Sequence, residues 1–214
     1  MTNKVLGFDI RIVDSSDVAN RWDELRRAQY LLRTDVSWVA SVDTVVCPSV
    51  FEFADDAPLN RPDTGAMMLV PDDLHQQALG LWRDARKMQE SASGALLQGT
   101  KTMQIAIAVF GYDTVINDRP LDDVLKDDTD PQTLGDIWSL LGYDVATPFL
   151  LSGLSNCGYN EQEKNALSRL WSDKLNNLGL LTDLDDAVAF KQITNRRVPE
   201  HAPFLVFGLY ELHL

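Results

Sequence analysis

The two ends of the chain alternate apolar and polar residues, which is the period of a β-strand with one buried face. Within residues 4–13, the apolar side chains that share a face are Leu6, Phe8, Ile10 and Ile12. A second strand is predicted over residues 204–214, beyond Pro199 and Pro203. One antiparallel sheet holding both terminal strands, with helices on one side, is the simplest way to bury these two faces.

Helical spacing of apolar positions is the commoner pattern between these strands. It predicts helices over residues 18–32, 74–91, 131–141 and 160–178, and a last helix that begins near residue 182. Four of these helices have recognisable starts, at Pro71-Asp72-Asp73, Asp130-Pro131, Asn160 and the sequence Thr182-Asp183-Leu184-Asp185, which resembles a capping box. Gly142 and Gly179 are predicted to end the third and fourth helices.

Three other segments have weaker patterns. Residues 36–53 are rich in Val, Ser, Thr and Phe and favour extended structure, whereas residues 54–65 are polar, contain prolines and favour a loop. Residues 96–110 form an apolar run whose periodicity fits a buried strand or a buried helix, and its alanine content favours the helix. The chain is therefore predicted to be a single α+β domain over residues 1–214, helix-dominated, with a small antiparallel sheet formed by the N- and C-terminal strands.

Composition is ordinary for a folded protein, since 45% of the 214 residues are hydrophobic. Cys47 and Cys157 are the two cysteines, and such a pair does not make a disulfide framework. The chain has no N-terminal apolar segment of the secretory type and no run of about 18 apolar residues that could span a bilayer. A cytoplasmic location is the expectation.

The formal net charge is −13, and the acidic side chains are distributed unevenly along the chain. Residues 52–73 carry six acidic side chains and one basic side chain, and residues 113–136 carry eight acidic and two basic ones. These two segments, termed the acidic windows below, therefore hold most of the net charge. An acidic balance of this kind argues against nucleic acid and against an anionic membrane surface as partners.

A concentrated anionic field raises the rate of encounter with a cationic partner, so the acidic windows are the candidate binding surface. The simpler alternative is a solvated face that keeps the protein soluble. The residues predicted to contact a basic protein partner are Glu52, Asp55, Asp56, Asp118, Asp122, Asp123, Asp127, Asp128 and Asp130.

Motifs for cofactors and metals fail on spacing. Residues 94–101 resemble a phosphate-binding loop, but Thr100 stands where the lysine belongs and the segment follows a predicted helix. Counting from Asp128, an EF-hand would require Gly and Glu where Thr133 and Ser139 stand. His75, His201 and His213 are too far apart to pair at metal-ligand spacing, so neither a metal nor a cofactor is expected.

The least generic segment is residues 141–159, LGYDVATPFLLSGLSNCGY. Its Gly153-Leu154-Ser155-Asn156-Cys157-Gly158 portion departs from the nucleophile elbow by placing Cys where Gly is needed. Cys157 at the entrance to the following helix could act as a nucleophile with a depressed pKa and His201 as its base. The plainer interpretation is a small buried thiol in a tight loop, with Ser155 and Asn156 capping backbone groups.

Gly142-Tyr143-Asp144-Val145 and the sequence LSGLSNCGY at residues 151–159 resemble segments of small acidic bacterial proteins. Some of those proteins are immunity proteins of contact-dependent inhibition and other polymorphic-toxin systems. The resemblance implies tight binding to a toxin domain and its neutralisation, with no catalytic residues to transfer and no enzymatic activity. It covers under a tenth of the chain.

Three functions are compatible with the sequence. The first is an acidic immunity (antitoxin-type) protein that neutralises a cognate basic toxin domain, for instance a nuclease whose substrate is itself a polyanion. The second is a small hydrolase or transferase that uses Cys157 or Ser155 with His201. The third is a non-catalytic adaptor that binds its partner through an apolar helix face.

Overall fold

The computed structural model describes residues 3–14, 85–86, 88–90, 101–110, 115–116, 119–120, 138–147, 152–154 and 159–213. Its strands are β1 (Asn3–Asp14), β2 (Lys101–Phe110), β3 (Val115–Ile116), β4 (Arg119–Pro120), β5 (Trp138–Ala146) and β6 (Leu205–Leu212). Its α-helices with described ends are α1 (Glu161–Trp171) and α2 (Leu184–Arg197). Short 3-10 turns span Ser172–Lys174 and Pro199–His201. Residues 85–86 and 88–90 are also helical, within the predicted helix 74–91.

The main sheet has four antiparallel strands in the order β1-β2-β6-β5, and β3 pairs with β4 in a separate ribbon. The predicted α+β class and the placement of both terminal strands in one antiparallel sheet are confirmed. The two terminal strands are not neighbours, however, because β2 lies between β1 and β6. The described residues do not show helices dominating over strands.

Residues 101–110 are a strand, so the preference for a helix in this segment was wrong. Both edges of β2 are paired, with β1 on one side and β6 on the other. Both faces are buried as well: every side chain from Ile105 to Val109 is fully withdrawn from solvent. A strand buried on both faces reads as a continuous apolar run rather than an alternation, and the run had no period from which strand could be told from helix.

Residues 138–141 belong to β5, so the helix predicted over residues 131–141 is wrong for this part; residues 131–137 lie outside the described residues. A β-bulge between Leu140 and Gly142 inserts one extra residue into β5 opposite β6. The bulge places Trp138 and Tyr143 on the same face of the sheet although five positions separate them. This break in the period of two is why the segment did not read as a strand.

The hydrophobic core lies on one face of the sheet. Phe8 of β1, Ala106 and Ala108 of β2, Val145 of β5 and Val206 of β6 contribute to it. The two described helices close this face with Leu167, Trp171, Ala187 and Phe190. The opposite face is also buried, with Ile105, Ile107, Val109, Leu205, Phe207 and Leu209 at 0% exposure.

The two helices confirm their predicted starts in part. Asn160 caps α1 in a full capping box with Glu163, as its position before an acidic first turn predicted. The helix ends at Trp171, seven residues before the predicted end, because Leu175 leaves the helical path and forms a β-bridge with Leu181. Asp183, and not Thr182, is the N-cap of α2: its carboxylate accepts from the backbone N–H groups of Asp185 and Asp186.

Gly142 is held in a backbone conformation that other residues rarely adopt, at φ +147°, and is not a helix terminator. A Cβ atom at this position would lie 2.7 Å from Leu180 Cβ and 2.9 Å from the Leu181 carbonyl oxygen. The segment around Leu181 therefore approaches β5 closely because residue 142 has no side chain.

Gly142→Ala is expected to lower the free energy of unfolding by about 2 kcal/mol, since it combines a strained φ with overpacking. Urea denaturation followed by circular dichroism measures the change. Leu140→Ala is the control, because Leu140 lies in the same strand and is 42% exposed, so its truncation removes little buried surface. An unfolding midpoint for Gly142→Ala equal to that of the wild type would contradict this account of the bulge.

Candidate protein-binding site

An open apolar groove of about 360 Å³ lies between α1 and α2. The residues lining it are Leu167, Leu170, Trp171, Ile193, Arg196 and Arg197. Leu170 is 69% exposed, the highest value among the large apolar side chains of the described residues. An apolar groove with convergent polar groups at its edge is a candidate binding site, and Leu170 extends its apolar wall.

Aromatic packing fixes the relative position of the two helices that form the groove. The Trp171 ring meets the Phe190 ring edge to face, with centroids 5.1 Å apart, and both side chains are buried. Lys174 Nζ lies 5.0 Å from the centroid of the Trp171 ring and also pairs with Asp186 of α2. The floor of the groove is therefore held by buried rings and a cation–π contact rather than by flexible surface chains.

The rim of the groove is basic. Arg196 and Arg197, in the last turn of α2, both line the groove and are exposed. Arg196 Nε donates to the Gln192 carbonyl at 3.1 Å. Arg197 Nη1 approaches Glu163 Oε1 at 3.5 Å, a half-exposed ion pair that contributes little to stability.

The first described part of the 141–159 segment is anchored by a buried carboxylate. Asp144 Oδ1 accepts from the Val145 backbone N–H at 2.7 Å and from Ser152 Oγ at 2.6 Å. Ser152 Oγ in turn accepts from the Leu154 backbone N–H at 3.1 Å. The Ser152 hydroxyl caps this turn, whereas the predicted caps Ser155 and Asn156 lie outside the described residues, so their role stays a prediction.

The end of the same segment is anchored on α2. The buried Tyr159 hydroxyl donates to Thr194 Oγ1 at 3.0 Å, and the Thr194 hydroxyl donates to the Phe190 carbonyl at 3.0 Å. At the next residue of α2, Asn195 Oδ1 accepts from the Phe204 backbone N–H at 2.9 Å, just before the chain enters β6. The helix that forms one wall of the groove is thus tied to the sheet through buried polar contacts.

A second segment, residues 175–181, covers the outer edge of β5. Tyr143 and Leu181 exchange backbone hydrogen bonds at 2.8 and 2.9 Å. Asn176 joins this segment to the bulge, because its Nδ2 donates to the Leu141 carbonyl at 2.7 Å. The same side chain accepts from the backbone N–H groups of Leu178 and Leu180. The edge strand is consequently closed to further pairing along this stretch.

The acidic residues predicted to bind a partner all lie outside the described residues, so their placement stays a prediction: Glu52, Asp55, Asp56, Asp118, Asp122, Asp123, Asp127, Asp128 and Asp130. The structure describes the backbone of two short pieces of the second acidic window, β3 and β4, which pair through Val115 with Pro120 and Ile116 with Arg119.

The alternative nucleophiles Ser155 and Cys157 also lie outside the described residues. His201, their predicted base, is exposed in the 3-10 turn that follows α2. His213 Nε2 lies 2.5 Å from Ser139 Oγ at the exposed end of the sheet. Within the part of the chain that the structure describes, no three His, Cys, Asp or Glu side chains converge on a point where a metal ion could bind.

The groove was not predicted, although two signals for it are present in the sequence. Leu170 falls at helical spacing with the apolar residues Leu167 and Trp171, but the core does not cover it and it is 69% exposed. Arg196 and Arg197 are adjacent basic residues in a chain of net charge −13. The sequence does not show that these residues share one surface, because that depends on how α1 and α2 pack.

No helix among the described residues has the length and apolar character needed to cross a lipid bilayer. No protein-family model, curated protein or solved structure matches the chain.

The pKa of the Tyr143 phenol is raised above 10.0, first by burial and second by the negative charge of Asp183. Because the folded state holds this proton more tightly than the unfolded state, the phenol's contribution to stability is complete below the unfolded pKa. It is lost as the pH rises through the folded pKa.

As the pH rises from about 9 to about 11, the free energy of unfolding should therefore fall less for Tyr143→Phe than for the wild type. The substitution keeps the edge-to-face contact with Phe110, whose ring centroid lies 5.5 Å from that of Tyr143. Urea denaturation at a series of pH values measures the slopes. Parallel slopes for wild type and Tyr143→Phe would contradict the assignment.

Proposed function

We propose that this chain is an acidic cytoplasmic immunity protein that binds and neutralises a cognate basic toxin domain, such as a nuclease. The observation that carries the proposal is the segregation of negative charge into the two acidic windows. Outside them the charge is nearly balanced: residues 159–213, for example, carry eight acidic and six basic side chains. Acidic residues that served solubility alone would have no reason to concentrate in this way.

The physical basis is electrostatic complementarity. A nuclease domain is basic around its cleft because its substrate is a polyphosphate. A protein that presents carboxylates at high local density is attracted to that cleft, associates rapidly and blocks it without any chemical step. The resemblance of residues 142–159 to immunity proteins supports the same role, and the role requires no catalytic residue and no cofactor.

A non-catalytic adaptor is the second candidate, and the α1–α2 groove favours it. The groove is an apolar helix face with an exposed leucine, which is the feature that such an adaptor requires. The two roles are compatible in one chain, since the acidic windows and the groove would attract partners of opposite charge.

The test of neutralisation begins with the neighbouring reading frame, which on this proposal encodes a large secreted protein with a variable C-terminal domain. That domain is the partner whose binding is measured. Replacement of Asp122, Asp123, Asp127 and Asp128 by Asn should weaken binding by about tenfold or more at low salt and should flatten the salt dependence of the dissociation constant. Isothermal titration calorimetry at several salt concentrations measures both quantities.

The matched control removes four negative charges from exposed positions elsewhere, by Glu161→Gln, Asp173→Asn, Asp185→Asn and Glu200→Gln. This variant should keep most of the wild-type affinity. Equal losses in both variants would show that only the total charge matters, and unchanged affinity in the Asp122, Asp123, Asp127 and Asp128 variant would remove the second acidic window from the interface.

A further inference from the structure

The groove between α1 and α2 combines an exposed apolar wall with a basic rim, and this combination specifies a ligand. We propose that it is a docking site for an amphipathic helix of a partner protein whose apolar anchor residues are flanked by carboxylates. The inference rests on the adaptor role given above and is independent of toxin neutralisation.

The shape of the groove fits side chains rather than a solvent channel. Leu167 and Trp171 are buried at its floor, Ile193 is partly buried, and Leu170 stands exposed on its wall. A volume of about 360 Å³ lies at the lower end of the range of ligand-binding clefts, about 300 to 1,000 Å³. Such an open trough between two helices is suited to anchors that project from one face of a third helix.

The rim selects the charge of that helix. Arg196 and Arg197 both line the groove, and both side chains are exposed. Each guanidinium presents five N–H donors in a fork that matches a carboxylate, more than the single contact of Arg197 with Glu163 takes up. These arginines also offset the negative end of the α2 dipole, but that role does not require an apolar groove beside them.

Charge also argues against a second copy of the chain as the occupant. In a twofold dimer through this groove, each subunit would present the same surface to the other. The arginine rims would then lie close together, and like charges brought together at an interface weaken association. A helix that carries carboxylates meets the rim with opposite charge and buries Leu170 at the same time.

The experiment uses the full chain and a fluorescein-labelled model peptide. The peptide has about 18 residues, enough to populate a helix, with leucines at i, i+3, i+4 and i+7 and glutamates beside them. A second peptide replaces every glutamate by lysine. Fluorescence anisotropy should show binding of the glutamate peptide, weakening as salt is added, and at least about tenfold weaker binding of the lysine peptide.

Two matched pairs of variants place the binding at the groove. Leu170→Ala should weaken binding of the glutamate peptide by about fivefold or more, whereas Leu140→Ala, at the other exposed leucine of the described residues, should not. Arg196→Glu should weaken binding of the glutamate peptide and strengthen binding of the lysine peptide. Arg86→Glu, which changes an exposed arginine on another helix, should do neither.

Several results would overturn the proposal. They are the absence of glutamate-peptide binding, equal affinity of Leu170→Ala and the wild type for that peptide, and equal affinity of the wild type for both peptides. Sedimentation of the protein alone is the remaining arm, because a dimer that Leu170→Ala abolishes would identify a second copy as the occupant. Neutralisation of the toxin domain should be unchanged in Leu170→Ala, so failure of the groove assignment and failure of the proposed neutralising role give different results.

Discussion

The pairing of β2 with β6 holds the described structure together, because it joins the β1–β2 pair to the β5–β6 pair. Its partners are about a hundred residues apart, and the entropy of closing so long a connection is offset by burial of both strands. The ring of Phe110 lies over Gly208 of β6, where a Cβ atom would be 2.5 Å from the ring. That close approach lets Phe110 reach across β6 to Tyr143 of β5.

Buried charge is part of this sheet as well as apolar contact. Arg11 is fully buried beside Asp9, with Nε 3.3 Å from Oδ2, and Asp9 Oδ1 also accepts from the Ile10 backbone N–H. Asp144 is fully buried and bound by Ser152. Removing one partner of such a group leaves a desolvated charge and costs more than loss of a surface ion pair. Both carboxylates are thus satisfied locally, within their own strand or by the turn that follows it.

The two proposed functions use surfaces of opposite charge on one chain. The acidic windows attract a cationic partner over a distance set by salt screening, whereas the groove requires close apolar contact and uses its arginines to select among apolar ligands. The buried ties from Tyr159 to α2 and from Asn195 to Phe204 hold one wall of the groove against the sheet. Docking there would involve a preformed surface rather than one that must first be ordered.

The sequence alone determined the terminal strands, the start of α1 and the α+β class, because these depend on local alternation and on caps such as Asn160. It also located the acidic windows, since the positions of charged residues along the chain are read directly from the sequence. Tertiary structure decided the identity of β2 and β5: burial on both faces removed the alternation from one, and the bulge at Leu141 interrupted it in the other. It also decided the groove, because Leu170, Ile193 and Arg196 become one surface only where the Trp171 and Phe190 rings bring two helices together.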